Sequence, residues 1–118
     1  MNERYKLYHG DCLDVMDELI QQGIQVDCII TDPPYGTTSC KWDQVIPFEE
    51  MWKRLNKLIK DNGAIVLFGN EPFTSVLITS NLKNFKYRWD WNKQIPSGMS
   101  YARFRPMQQT EDITVFTK

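Results

Sequence analysis

The residues with the most chemical content lie in one short run, Thr31-Asp32-Pro33-Pro34-Tyr35-Gly36. Consecutive prolines fix the backbone and remove two amide donors, leaving carbonyls free to accept hydrogen bonds. Asp32 adds a carboxylate acceptor. Together they make an acceptor-only pocket, suited to holding an amino group and making it nucleophilic. Tyr35 offers a ring face for stacking a planar group, and Gly36 lets a substrate approach the backbone closely. A plainer reading also fits: a proline-rich turn closing a strand, with Asp32 capping local amides. The context favours chemistry, because Asp-Pro-Pro-Tyr directly follows the strand-like run Val26-Asp27-Cys28-Ile29-Ile30-Thr31.

Two other groups are candidates. His9-Gly10-Asp11 forms a second polar loop ahead of an apolar periodic stretch. Lys83, Lys86, Arg88, Lys93, Arg103 and Arg105 crowd one segment opposed only by Asp90, interleaved with Phe85, Tyr87, Trp89, Trp91, Tyr101 and Phe104. Cations and rings so mixed can neutralise phosphates and stack bases. The same pattern equally describes two strands with aromatics turned inward and cations turned to water. Cys12, Cys28 and Cys40 are widely spaced and His9 is the single histidine, which argues against a metal site. Cys28, inside an apolar run, reads as a small core residue.

Positioning these groups requires an alternating framework. Tyr5–Tyr8 is a short strand candidate ended by Gly10. Asp11 precedes an amphipathic helix with Leu13, Met16, Leu19 and Ile20 on one face, closed by Gly23. Val26–Thr31 reads as a fully buried strand, since its apolar residues run continuously. A loop over Asp32–Val45 follows, containing Lys41 and Trp42. Pro47 opens a second helix whose apolar face is Met51, Trp52, Leu55, Leu58 and Ile59, with Gly63 ending it. Ala64–Phe68 is another buried strand, and a shorter helix after Pro72 turns Phe73, Val76 and Leu77 inward. Phe85–Trp91 and Asp112–Thr117 complete the elements as two further strands. Alternating buried strands and helices imply an α/β layer fold with a largely parallel sheet, whose ligands collect at the strands' carboxyl ends.

With 118 residues, 42% of them apolar and 13% aromatic, the chain has material for one packed unit and is too rich in rings to be disordered. Its apolar runs are too short to span a bilayer. No basic-then-apolar leader precedes Tyr5, and three widely spaced cysteines suit reduced thiols, so a cytoplasmic location is expected. A net charge of −1 seems to exclude nucleic acid, but it conceals an asymmetry. Residues 1–50 hold three cations against ten acids, a net of −7, and residues 51–118 hold eleven against five, a net of +6.

The Asp32–Tyr35 run and its strand resemble motif IV of the amino-methyltransferases, enzymes that use S-adenosylmethionine to methylate exocyclic amines of DNA bases. Tyr8-His9-Gly10-Asp11-Cys12-Leu13 is similar to the family's preceding motif, and Asp61–Phe68 to the strand after its catalytic loop. Trp91-Asn92-Lys93 and Glu111-Asp112-Ile113 resemble the paired strands that complete the base pocket. The motif order is that of the permuted subgroup, with the catalytic loop ahead of the cofactor loop. The resemblance implies a Rossmann-like three-layer sandwich, with a mostly parallel sheet ending in an antiparallel strand pair.

It also implies roles. The catalytic set is Asp32, Pro33, Pro34 and Tyr35, with a base flipped from double-stranded DNA onto Tyr35. Cofactor contact falls to Asp11, Cys12 and Asp32; for Asp11, helix capping and cofactor contact can coexist. DNA contact falls to Tyr35, Trp91, Lys93, Arg103 and Arg105. An Asp opening the tetrad is commoner among adenine-N6 enzymes, Ser among cytosine-N4 enzymes, and Asn among protein-glutamine enzymes. A restriction-modification, phage or mobile-element setting is implied, with no membrane and no metal.

The sequence departs from the family in one respect with physical weight. Gly10, Gly23, Gly36, Gly63, Gly69 and Gly98 are its only glycines, and no two are within two positions. The Phe-x-Gly-x-Gly cofactor loop is therefore absent, and so is a target-recognition region. Residues 1–118 are accordingly expected to be the catalytic-motif part of an incomplete domain, inactive alone and completed by a C-terminal half or a second copy. The expected sheet has an exposed central edge, or a direct pairing of Tyr5–Tyr8 with Val26–Thr31. A minor departure is Thr110 where a histidine usually precedes Glu111. The alternatives are a cytosine-N4 enzyme or a non-catalytic prophage-type remnant that binds nucleic acid.

Overall fold

The computed structural model describes residues 4–36, 44–97 and 108–118. Three helices and four strands alternate in the order α1 (Cys12–Gln21), β1 (Val26–Thr31), α2 (Phe48–Leu58), β2 (Ile59–Gly69), α3 (Phe73–Ser80), β3 (Phe85–Ser97) and β4 (Gln108–Thr117). The strands form one sheet in the order β1-β2-β4-β3. β1 and β2 are parallel, whereas β4 is antiparallel to both β2 and β3. The α/β class holds, with the parallel character confined to a single pair among the described strands.

Side-chain alternation decides where the core lies. Ile65 and Leu67 of β2 sit opposite Phe116 and Thr114 of β4, and all four are almost fully buried. Onto this face pack Met51, Trp52 and Leu55 of α2 and Phe73 and Leu77 of α3. Trp52 meets Phe116 edge-on at 4.7 Å, and its indole Nε1–H donates to Ser80 Oγ at 2.8 Å. This pairing satisfies the polar end of a buried ring. α1 has no buried residue of its own and docks on α2, with Met16 reaching the core.

The opposite sheet face carries no helix among the described residues. Cys28 and Ile30 of β1 are exposed there, and Tyr87, Trp89 and Trp91 of β3 retain 49%, 62% and 45% of their surface. Val26–Thr31 is thus an exposed sheet edge rather than a fully buried strand, and Cys28 is not a core residue. The apolar run does form a strand, but only Val26 and Ile29 pack against the core, and the face carrying Cys28 and Ile30 is uncovered among the described residues. Tyr5–Tyr8 does not join the sheet, and Tyr5 and Leu7 are 77% and 87% exposed. The direct pairing of these two segments is therefore not formed.

Three local expectations also need correction. Pro47 caps α2 rather than beginning it. Val76 is exposed, and Thr74 takes the buried place on α3. Gly63 does not end α2, which stops at Leu58; it lies within β2, where the register with β1 jumps from Val26↔Ile59 to Cys28↔Ala64. Within that bulge Asn62 takes the left-handed conformation, at φ 68°. Gly63 is required for closeness instead: a Cβ there meets the Asp27 carbonyl oxygen at 2.8 Å and Ile59 side-chain carbons at 2.7 Å.

Candidate active site

The Asp32–Gly36 turn leaves the carboxyl end of β1. Pro33 is buried, Pro34 and Tyr35 are half-buried, and Asp32 is exposed. Gly36 adopts φ 74°, a left-handed conformation that side chains disfavour, so the chain can reverse directly after Tyr35. Tyr35 Oη donates to Asp32 Oδ1 at 2.6 Å. Its ring packs on Phe73 at 5.0 Å, and Phe73 in turn meets Phe48 at 5.7 Å. Burial pushes the Tyr35 phenol well above its usual pKa. The hydrogen bond to Asp32 and the charges of Asp32, Glu111 and Asp112 act in the same direction.

Those last two acids show that the start of β4 faces the turn electrostatically. Glu111 is itself held by Lys93 of β3, Nζ to Oε1 at 3.1 Å, with both side chains mostly buried at 19% and 16% exposure. Trp91 stands edge-on to Phe68 at 5.9 Å. Arg103 and Arg105, with Lys41 and Trp42, lie outside the described residues.

Asp11 caps α1, its Oδ1 accepting the Leu13 amide at 2.9 Å. Burial and then the Asp11 charge push the Cys12 thiol above its ordinary value, against the backbone amide of Leu13. A cleft of about 520 Å³ brings Gly10, Asp11 and Cys12 against Pro34, Val45 and Pro47. The two polar loops singled out in the sequence therefore share one wall-to-wall space. On the far side of the turn lies a second pocket of about 250 Å³, lined by Tyr35, Gly36, Val45, Phe48, Phe73 and Val76. Sequence reasoning did not single out Val45, Phe48 or Phe73 as site residues. Their only signal was proximity to the prolines that open α2 and α3.

No metal-holding group of His, Cys, Asp and Glu exists among the described residues, and no helix there is long and apolar enough to cross a membrane. A profile of the DNA methylase family N6_N4_Mtase matches residues 26–118. Among solved structures, the M1.HpyAVI–SAM complex is similar, with 30% identity and a TM-score of 0.71. That match covers 94% of this chain and 53% of the other. A second M1.HpyAVI structure gives 28% identity and a TM-score of 0.69, covering 94% and 54%. No curated protein sequence matches. The chain thus spans about half the length of the solved structures it resembles. Matched over most of its length, it belongs to the N6/N4 DNA methylase family.

Proposed function

We propose that this chain supplies the catalytic-motif part of a cytoplasmic DNA adenine-N6 methyltransferase. The observation that carries the reading is the shared cleft: Asp11 and Cys12 face Pro34, one residue from Tyr35. The cleft fits an adenosine end. With Asp11 Oδ1 held by the Leu13 amide, the second carboxylate oxygen is the acceptor Asp11 would offer to a ligand's hydroxyl or amino group in the cleft. The sequence has no paired glycines to cradle the rest of the cofactor. S-adenosylmethionine, when bound, supplies a methyl group on a sulfonium centre.

The chain's own residues act on the acceptor base. Tyr35 presents a ring for a base flipped out of double-stranded DNA. Asp32 Oδ2 and the Pro33 carbonyl accept the two hydrogens of its amino group, drawing electron density onto the nitrogen. Positioning supplies most of the remaining rate. Trp91 covers the base-side edge of the sheet beside Phe68, and Arg103 and Arg105 contact phosphates. Lys93 adds a further cation to this DNA-facing set and is held in place by Glu111. The remainder of the fold covers the open face presented by Ile30 and Trp89, supplied by further chain or a complementing polypeptide.

Radiolabelled methyl transfer in an assembly containing this chain tests the reading. Asp32→Ala is expected to abolish transfer, and persistence of transfer overturns the assignment. Chromatography of the labelled nucleosides separates N6-methyladenine, the expected product, from N4-methylcytosine.

A further inference from the structure

Resting on the functional reading above, one residue stands out because it belongs to both pockets. The turn and the segment entering α2 each contribute residues to both spaces. Pro34 lines the 520 Å³ cleft and Tyr35 the 250 Å³ pocket. Ile46 and Pro47 line the first, and Phe48 the second. Val45 lines both, the one described residue to do so. We propose that the Val45 side chain is the partition between the methyl-donor cleft and the base-side aromatic pocket, and that its size sets the room in both.

The chemistry of the two spaces supports unlike occupants. The cleft holds a carboxylate beside a helix start, suited to a polar nucleoside. The second pocket is walled by Tyr35, Phe48 and Phe73, the first two rings each packed on Phe73, and is suited to a planar heterocycle. A β-branched side chain is a good divider, since its χ1 is stiff. Val45 is 42% exposed, so a larger residue can be accommodated without entering the core.

The test is amide NMR of the isotope-labelled 118-residue chain within an assembly competent for methyl transfer, with S-adenosylhomocysteine and, separately, 9-methyladenine. In the wild type, the first ligand is expected to shift Asp11–Leu13 and the second Gly36, Phe73 and Val76. Val45→Phe is expected to weaken both by at least about tenfold, the lower end of what one misplaced methylene costs in a pocket. Gln44→Phe, lining only the cleft, is expected to weaken the first alone, and Val76→Phe the second alone. If both ligands bind the wild type and Val45→Phe affects one or neither, the partition is wrong. If neither ligand shifts its pocket in an assembly that does transfer methyl groups, the partition falls while the functional reading stands; if the assembly transfers none, the functional reading falls first. Val45→Leu, a smaller change, guards against misfolding and is expected to give the same double effect in weaker form.

Discussion

The Tyr35 hydroxyl donates a 2.6 Å hydrogen bond to Oδ1 of Asp32, so the ring and the carboxylate of the turn act as one unit. One carboxylate oxygen is committed, on a residue that is itself exposed. The phenol stays protonated across the neutral range, because burial, the bond itself and the acids of β4 all oppose its ionisation. The donor is thus permanent under working conditions.

Removing only that donor separates its two roles. In an assembly competent for methyl transfer, Tyr35→Phe keeps the stacking face and frees the carboxylate to rotate. A hydrogen bond to a charged group is worth about 1.5 kcal/mol, so single-turnover rates are expected to fall about tenfold with little change in DNA affinity. Tyr35→Ala removes the face as well and is expected to weaken DNA binding too. Equal losses in the two variants would show that the ring contributes nothing beyond its hydroxyl.

Cys12 reports on the charge of Asp11. Its thiol is raised first by burial and then by that carboxylate, and only the thiolate reacts with alkylating agents. Asp11→Asn keeps a good helix cap while removing the charge. The variant's Cys12 is expected to react faster with iodoacetamide at pH 7.5, because losing that charge lets the thiol ionise more readily. Mass spectrometry of the Cys12 peptide measures this. An unchanged rate would mean that solvent screens the two groups from each other.

The sequence made the elements legible because their signals are local. Asp11, Pro47 and Pro72 mark the helix starts, and the continuous apolar runs mark β1 and β2. What it did not show was which face each element buries. Cys28 and Ile30 read as core because apolar runs belong in covered strands, yet β1 is an edge with one open face. Gly63 read as a helix terminator because that is the commonest use of such a glycine, whereas the structure uses it to bring β2 against the Asp27 carbonyl. The candidate site divides in the same way. Asp32 and Tyr35 announced themselves by residue type, but Val45 and Phe73 enter only through tertiary placement.

That close approach at Gly63 gives a stability prediction. Gly63→Ala places a methyl 2.8 Å from a backbone oxygen, which cannot swing aside as a side chain can. Forcing extra volume into a packed site costs about 1–3 kcal/mol. The urea midpoint of the chain is expected to fall accordingly. Gly23→Ala, with nothing near its Cβ but a φ of 74°, is expected to cost less, about 1 kcal/mol of backbone strain. The reverse order would place the tight contact elsewhere.

Arg54 bridges α1 and α2, and its pairing with Glu50 within α2 has a defined pH window. Arg54 Nε meets Asp17 Oδ1 at 2.8 Å across the α1–α2 contact, and Nη1 meets Glu50 Oε2 at 2.8 Å within α2. The hydrogen bond from Arg54, and then its charge, hold Glu50 below the ordinary carboxylate value of 4.5. A depressed folded-state pKa means that the pair's stabilisation is full above the unfolded value and is lost as pH falls through the folded one. Arg54→Met retains an apolar stem and removes the charge. Its urea midpoint is expected to lie below the wild type's at pH 7, still below it at pH 4.5, and to converge with it towards pH 2.5. A gap of the same size at every pH would assign the role of Arg54 to packing of its stem.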